Sequence, residues 1–384
     1  MDRVSLLGVS QVTPVEELAA CLEKWGIMPV FYEQEADSVG SKDASAHAGK
    51  DNFPADPILV FSEFWLTRLI VENEKNHRIC KISENALRAS RSKLFISCVL
   101  KKNNIPCVHR RAIKKHMDEF LNPGTVVRPD CAYSGKGVKY ITEKISYSQY
   151  IKDASGEITA TTKKVLGKQT INFIEEEFMS GDEYSCDVII SPNGRRITRV
   201  CLKAVKWIFG YPCTMAYMTV TVDAAMESAI LSWCDALFNR SDDLSFAHFD
   251  FIKAHDGTYY PIDFSARPGG GLSNLLSFAL PGHNLYADSI AFALGRTDSI
   301  SFPNKNCAMF SFIATQHGKL KEININWPQR CRIIKKYNIG DNIPLRTLSS
   351  ASARIVSIIS QVGSPAEFRE LADNIPKYIS VSCE

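Results

Sequence analysis

The sequence lacks the features that mark several large classes of protein. Its 45 lysines and arginines nearly balance 42 aspartates and glutamates, giving a formal net charge of +3 and no basic excess to neutralise a phosphate backbone. No run of about 18 apolar residues is present to cross a bilayer. We therefore expect neither nucleic acid nor a membrane as a partner.

The twelve cysteines form no C-x-x-C pair, the spacing typical of zinc and redox sites. Most lie inside apolar runs such as KLFISCVL, as reduced core thiols do. The opening apolar run in MDRVSLLGVSQVTP is too short for a signal peptide. Together these features lead us to expect a cytoplasmic protein.

Both common nucleotide motifs are also missing. There is no G-x-x-x-x-G-K-[ST] and no G-x-G-x-x-G after a strand. One weaker candidate is present, because residues 124–141, GTVVRPDCAYSGKGVKYI, place two β-rich runs around Gly135 and Gly137 and so predict a hairpin. The turn amides could fold over phosphate oxygens, although a plain hairpin turn explains the pattern equally well.

The order of patterns along the chain predicts an α/β (α+β) protein of two or three domains. The first residues alternate strand, helix and strand, which is a βαβ unit, and residues 37–56 read as a solvated loop. A series of strands and helices follows, including an apolar helix, LSNLLSFALPGHNLYADSIAFALG, that is interrupted at Pro281 and Gly282. The last eighty or so residues return to strands and turns, with a helix in SPAEFRELADNI and a strand in YISVSC, and predict a small β-rich lobe.

The segments FAHFDFIK and TYYPIDFS, joined by AHDG, predict a second hairpin. Alternation would turn Asp250 and Asp263 toward one face of it. Two adjacent carboxylates repel unless they share a proton or a cation, and magnesium fits when phosphate supplies further ligands. The alternative is that each acid caps a strand end or pairs with a lysine. We expect His248 on the opposite face from Asp250.

An arginine and three glycines follow the second of these strands. Arg267 offers a planar fork of donors for phosphate or carboxylate, and Gly269 to Gly271 would leave backbone amides open to an anion. A cation site and an anion site would then adjoin. A plain connecting loop is the alternative.

In their order, these motifs resemble the ATP-grasp superfamily of carboxylate-amine (amino-acid or peptide) ligases. The likeness covers about residues 84–295 and rests on Lys93, VVRP with SGKGV, FIEEEF leading to GDEYSCDV, HFDF and PIDFSARPGG. It implies ATP held between a hinged lid and a central sheet. The implied domains are a Rossmann-like N-terminal (pre-ATP-grasp) domain at 1–89, an ATP-grasp domain at 90–298 with its lid at about 124–175, and a C-terminal β-rich lobe at 299–384.

The resemblance also implies ligand-binding residues. Lys93 and Arg128 correspond to the two cations that grip the nucleotide phosphates, with Arg128 standing where lysine is commoner. The alignment of the three glutamates 175–177 with the nucleotide-binding strand of the family is ambiguous by one residue. The implied ATP-binding residues are Lys93, Arg128, Ser134, Gly135, Lys136, Gly137, Glu176, Glu177, Met179 and Glu183.

Asp250, Asp263 and Ser265 correspond to the metal ligands of the family, for one or two Mg²⁺ ions, with Mn²⁺ as an alternative. Asp263 stands where glutamate is typical and Ser265 where asparagine is usual. Both replacements are shorter or weaker ligands. A degraded site that only binds nucleotide is therefore an open alternative.

The reaction implied is phosphorylation of a carboxylate by ATP, followed by attack of an amine on the acyl phosphate. Arg267 would be catalytic and would bind substrate together with Gly269 and Gly270. The partners are small-molecule carboxylates and amines, and a homodimer is among the assemblies allowed. A biotin-carboxylase-like or purine-pathway reaction is the second choice. The aromatic segment 206–213, KWIFGYPC, borders the acceptor pocket in relatives, and core packing is its alternative role.

Overall fold

The computed structural model describes residues 2–32, 57–76, 80–113, 120–131, 135–155, 171–208, 210–303, 306–313, 317–335, 337–343 and 354–384. None of the helices in these ranges is long and apolar enough to cross a membrane.

The strands are β1 (Asp2–Leu7), β2 (Ile27–Tyr32), β3 (Ile58–Val60), β4 (Arg110–Ala112), β5 (Phe120–Leu121), β6 (Thr125–Pro129), β7 (Lys139–Tyr140), β8 (Ile145–Ser146), β9 (Phe173–Glu177), β10 (Gly181–Ser191), β11 (Gly194–Ile208), β12 (Tyr211–Thr219), β13 (Ser245–Ala254), β14 (Tyr259–Ser265), β15 (Cys307–Ile313), β16 (Gly318–Ile325), β17 (Cys331–Lys335), β18 (Asn342–Ile343), β19 (Arg354–Gln361) and β20 (Ile379–Cys383). The helices are α1 (Val15–Lys24), α2 (Glu63–Asn76), α3 (Glu84–Ala89), α4 (Lys93–Lys102), α5 (Tyr147–Ser155), α6 (Ala224–Leu237), α7 (Ser273–Ala279), α8 (Leu285–Ala293), α9 (Pro365–Asp373) and α10 (Ile375–Tyr378).

The N-terminal part is a small parallel sheet in the order β2-β1-β3, which confirms the predicted βαβ unit. Helix α1 starts after Pro14, has Glu16 and Glu17 in its first turn, and buries Leu18 and Leu22. Acidic side chains at that end are favourable because they face the positive end of the helix dipole. The second helix, α2, was not predicted, and its first residue reaches the candidate site.

An antiparallel sheet of eight strands forms the centre of the molecule, in the order β14-β13-β10-β11-β12-β15-β19-β17. Its core includes Trp233, Phe249 and Phe251, whose rings pack at centroid distances of 5.3–5.4 Å. Strand β12 pairs with β15, so the sheet runs without interruption from β10–β14 into β15, β19 and β17 near the end of the chain.

Helix caps fix two elements next to this sheet. The Ser92 hydroxyl accepts a hydrogen bond from the Phe95 amide at the start of α4, and Asn284 caps α8 just after the break that Pro281 and Gly282 predict. Such caps satisfy amides that have no partner inside the helix. The Ser92 cap therefore fixes the position of Lys93, the next residue.

A smaller four-stranded sheet, in the order β4-β9-β6-β7, contains the predicted glycine hairpin. Val126 pairs with Tyr140 and Val127 with Lys139, which confirms the hairpin. Gly135 and Gly137 have φ of 67° and 70°, in the left-handed region that favours glycine.

The tip of the β11–β12 hairpin contacts this smaller sheet. The Tyr140 amide donates to the Gly210 carbonyl over 2.9 Å, and the Trp207 ring lies 5.7 Å from the Tyr140 ring and 6.1 Å from that of Phe178. Trp207 and Gly210 therefore pack against the glycine hairpin and the chain after β9.

Candidate active site

A cavity of about 890 Å³ opens between the central sheet, the smaller sheet and the start of α2. The chain that leaves β9 lines it, as do Glu63, Tyr217 and Arg354. A cavity of about 170 Å³ adjoins it and shares Asp250, Asp263 and Arg267 with it. The predicted metal and anion residues thus lie where the two cavities meet.

Asp250 and Asp263 are direct cross-strand partners, and both line the cavity as alternation predicts. A bulge at Ile262 on β14 interrupts the pairing between Asp250 and Phe251, and such a feature re-aims side chains. In this structure their charges are balanced by cations, since Asp263 lies 3.3 Å from Lys93 and 3.0 Å from Arg128. Asp250 lies 3.4 Å from Lys203.

The two predicted phosphate-binding cations therefore meet at one carboxylate. Lys93 comes from the start of α4 and Arg128 from β6, and both are buried. Burial alone would raise the pKa of Asp263, but Lys93 and Arg128 lower it to about 2, so the carboxylate is charged at neutral pH. Burial lowers the pKa of Lys93, an effect that Asp263 partly offsets.

The donor chemistry fits a hard divalent cation that arrives with phosphate oxygens. Asp250 and Asp263 supply carboxylate oxygens, and carboxylates outnumber cationic side chains in the described lining of the main cavity by eight to six. Within the described residues, no three Asp, Glu, His or Cys side chains converge tightly enough to hold a metal by themselves. Ligands from a bound nucleotide would complete the coordination, as is usual for Mg²⁺. The Ser265 hydroxyl donates to Glu63 over 3.2 Å.

Arg267 is held by a residue that the sequence analysis missed. Its Nη2 and Nε atoms lie 2.6 and 2.8 Å from Oε1 of Glu63, the first residue of α2. Glu63 also pairs with Arg91 at 3.0 Å. Burial alone would raise the pKa of Glu63, but Arg267 and Arg91 lower it to about 2. This carboxylate therefore fixes the predicted catalytic guanidinium beside the aspartates.

The structure corrects two expectations, for His248 and Gly269. Since residues 248 and 250 are two apart, alternation places them on one face, and His248 Nε2 lies 3.7 Å from Asp250 Oδ1. Its Nδ1 lies 2.7 Å from Oδ1 of buried Asp187. The Gly269 amide is not open to an anion, because it donates to that same oxygen over 3.0 Å. Gly270 does line the main cavity.

Asp187 is the centre of this buried cluster. Arg199 Nε donates to its other oxygen over 2.7 Å, and both side chains are 1% exposed. Burial alone would raise the pKa of Asp187, but Arg199 and His248 hold it below its ordinary value. An acid inside the apolar run SCDVII was the signal that could have identified it, because buried charges need partners.

The three glutamates of β9 have different surroundings. Glu176 is buried between Arg110 at 2.7 Å and Arg128 at 3.2 Å, whereas Glu177 is exposed and accepts a hydrogen bond from the His109 amide over 3.1 Å. Glu177 and Met179 line the cavity, as does Glu183, which pairs with Lys203. The ATP-binding residues predicted on β9 and just after it thus lie along one wall of the cavity, with Glu176 inside an ion-pair cluster.

The glycine hairpin is partly described. Ser134 lies outside the described residues, and Gly135 lines the main cavity. The Gly137 carbonyl accepts a hydrogen bond from the Tyr150 hydroxyl. Burial lowers the pKa of Lys136. The hairpin thus brings a glycine backbone to the cavity that Asp263 also lines.

No protein-family model and no curated protein sequence matches the chain. Several solved structures, however, align with it over nearly their whole length. An L-amino acid ligase from Bacillus licheniformis aligns over 100% of this chain and 99% of its own, with 14% identity and a TM-score of 0.71. A phosphoribosylglycinamide synthetase from Anaerococcus prevotii aligns over 100% of both chains, with 16% identity and a TM-score of 0.59.

A third structure is the biotin carboxylase domain dimer of 2-oxoglutarate carboxylase from Hydrogenobacter thermophilus, in complex with MgADP, ADP and bicarbonate. It aligns over 98% of this chain and 90% of its own, with 12% identity and a TM-score of 0.60. Identities this low show the fold. The chain accordingly has the fold of these three proteins, which confirms the ATP-grasp fold predicted from its motifs.

Proposed function

We propose that the protein is an ADP-forming ligase that uses ATP to join a carboxylic acid to an amine. An amino acid is the carboxylic acid that we propose. The observation that carries the proposal is the convergence of Lys93 and Arg128 on Asp263, next to Asp250 and Arg267, in one cavity. Cations for phosphate, acids for a metal and an arginine for an oxyanion are the groups that acyl phosphate chemistry needs. The full-length likeness to an L-amino acid ligase supports it.

In this proposal Asp250 and Asp263, with Ser265 beside them, hold Mg²⁺, or Mn²⁺ in its place, which neutralises phosphate charge when bound. Lys93 and Arg128 bind the nucleotide phosphates. The adenine and ribose lie against the wall that contains Glu177, Met179 and Glu183. Each of these side chains lines one of the two cavities. Because Lys93 and Arg128 are paired with Asp263 in this structure, binding of phosphate and metal needs exchange of ion-pair partners.

The proposed reaction has two steps. A substrate carboxylate oxygen attacks the γ-phosphorus of ATP, releasing ADP and leaving an acyl phosphate. The amine nitrogen, as the free base after its ammonium loses a proton to solvent, then attacks the acyl carbon. The C–N bond forms, the bond from the acyl carbon to the phosphate oxygen breaks, and the nitrogen loses one further proton to the departing inorganic phosphate. Arg267 stabilises the oxyanion of the tetrahedral intermediate. The lid excludes water, which would otherwise hydrolyse the acyl phosphate.

A second candidate is a purine-pathway or biotin-carboxylase-like reaction. It is favoured by full-length likeness to phosphoribosylglycinamide synthetase and to a biotin carboxylase domain, at TM-scores of 0.59 and 0.60. A protein that only binds nucleotide is the third candidate, because Asp263 and Ser265 replace longer or stronger ligands.

An ADP-release screen separates these candidates. The protein is incubated with ATP, Mg²⁺ and a matrix of amino acids and amines, with phosphoribosylamine and with biotin plus bicarbonate, and products are read by mass spectrometry. We expect ADP release only with an acid and an amine together, and one amide product per ADP. Binding of ATP without ADP release on any substrate would overturn the proposal in favour of a nucleotide-binding protein.

A further inference from the structure

One cationic side chain of the main cavity differs from the others in its surroundings. Six lysine and arginine side chains line the cavity in the part of the chain that the structure describes, and five of them are paired with a carboxylate. The sixth, Arg354 at the start of β19, has no such partner among the described residues. The five pairs are Arg128–Asp263, Lys203–Asp250, Lys206–Asp373, Arg267–Glu63 and Arg369–Asp182.

Arg354 is nevertheless held in place. Its guanidinium carbon lies 5.5 Å from the ring centroid of Tyr217 on β12, a distance at which the ring attracts the cation. A guanidinium carries five N–H donors in its plane. No carboxylate among the described residues takes these donors, so they remain available to a ligand.

Arg354 also lies next to the loop that carries the proposed catalytic residue. A Cβ atom built on Gly271 would be 3.7 Å from Arg354 Nη1, and Gly271 is four residues after Arg267. Tyr217 lines both cavities and so borders the place where Asp250 and Arg267 lie. Arg354, which lacks a carboxylate partner among the described residues, is therefore beside the residues expected to handle the acyl phosphate, and it comes from β19.

Building on the proposed function, we propose that Arg354 binds the carboxylate of the acceptor amine, so that the acceptor is itself an amino acid. A planar guanidinium fork matches a carboxylate in geometry, with two parallel hydrogen bonds. One unpaired positive charge balances one carboxylate. A phosphate ester carries nearly two negative charges and would call for more cations than the single one available in the described lining.

The proposal is tested with pairs of acceptor amines that differ only in whether they carry the carboxylate. Glycine, L-alanine and L-phenylalanine are compared with glycinamide, L-alaninamide and L-phenylalaninamide, and phosphoethanolamine represents phosphorylated amines. KM and kcat are measured for each by ADP release with confirmation of the amide product. The variant is Arg354→Gln, and the matched control is Arg332→Gln, an exposed arginine on the neighbouring strand β17. Thermal unfolding confirms that both variants fold.

We expect the wild type to favour amino acids over their amides. In Arg354→Gln the KM for the amino acid should rise about 10- to 100-fold, the loss typical of a hydrogen-bonded charged group. The KM for the amide and for ATP, and kcat, should change less than about twofold, as should every constant of Arg332→Gln.

Equal use of amino acids and amides, or an unchanged preference in Arg354→Gln, would overturn this inference and leave the ligase proposal standing. A preference for phosphoethanolamine that Arg354→Gln abolishes would replace the carboxylate with a phosphate. Absence of any amide product from the wild type would instead overturn the ligase proposal, and the acceptor inference with it.

Discussion

Glu63 and Arg267 form an ion pair across 204 positions of sequence, with Nη2 and Oε1 2.6 Å apart. The pair joins the first residue of α2 to the loop after β14. Glu63 is nearly buried and also pairs with Arg91, so its negative charge balances two arginines of the site. Helix α2 therefore takes part in positioning the proposed catalytic arginine.

The first prediction concerns stability and pH. Because the pKa of Glu63 is lowered from 4.5 to about 2, its stabilising contribution is complete above about pH 4.5 and is lost as the pH falls toward 2. We expect Glu63→Gln to lower the free energy of unfolding at pH 7 by about 3 kcal/mol and by progressively less below pH 4.5. Urea unfolding between pH 7 and pH 3 measures this.

Glu84→Gln is the matched control for this prediction. Glu84 pairs with Arg88 over 3.6 Å on the surface, where both side chains are more than half exposed. Such pairs contribute little, so this variant should differ from the wild type by less than about 0.5 kcal/mol at every pH. A Glu63→Gln deficit that stays constant over the whole pH range would contradict the proposed ionisation of Glu63.

The second prediction concerns catalysis by Arg267. We expect Arg267→Ala to lower kcat by about 10²- to 10³-fold, the usual loss for one oxyanion donor, with ATP affinity changed only a few-fold. ADP release and calorimetric ATP titration measure the two quantities. Arg296→Ala, which removes an exposed arginine paired with Asp2, is the control. Loss of ATP affinity as large as the loss of turnover would exclude the assigned role.

The third prediction concerns the metal. Asp263→Asn should abolish turnover at every Mg²⁺ concentration, because it removes a carboxylate ligand and the shared partner of Lys93 and Arg128. Asp256→Asn, in the exposed turn of the same hairpin, should behave as the wild type does. Turnover is titrated against Mg²⁺ and Mn²⁺ for all three proteins. Normal Mg²⁺ dependence in Asp263→Asn would rule out the metal assignment.

The fourth prediction concerns Gly269. A Cβ atom there would lie 2.3 Å from Arg199 Nη2 and 2.6 Å from His248 Cε1, so the buried cluster around Asp187 would have to move. We expect Gly269→Ala to destabilise the fold by about 1–3 kcal/mol, as overpacking does. Gly363→Ala, whose Cβ would meet only the end of the Glu367 side chain at 3.1 Å, is the control. Equal stability of the two variants would contradict the prediction, because it would show that the loop after β14 can shift to accommodate the added methyl group.

Much of the fold could be predicted from local patterns. The hairpin of residues 124–141, the break between α7 and α8, and the aspartate pair all follow from turn residues and strand alternation, and the structure confirms each. These features depend on neighbours in sequence. Such neighbours fix backbone angles and the facing of side chains directly.

The partners of the site residues could not be predicted in the same way. Glu63 meets Arg267 only after segments 204 residues apart pack together, and no local periodicity records that contact. Helix α2 was overlooked because charged and apolar residues are mixed along EFWLTRLIVENEKN. Bulges also interrupt the register after Asp187 and after Asp250, and simple alternation does not anticipate them.

The pairing of β12 with β15 limits where the chain could be truncated. A fragment ending near residue 298 would leave the edge of β12 with a row of unsatisfied amides and carbonyls, an open template for other chains. It would also lose Arg354. Strands β15, β19 and β17 thus complete the central sheet, so the chain beyond residue 298 is part of the body that carries the candidate site rather than an appendage to it.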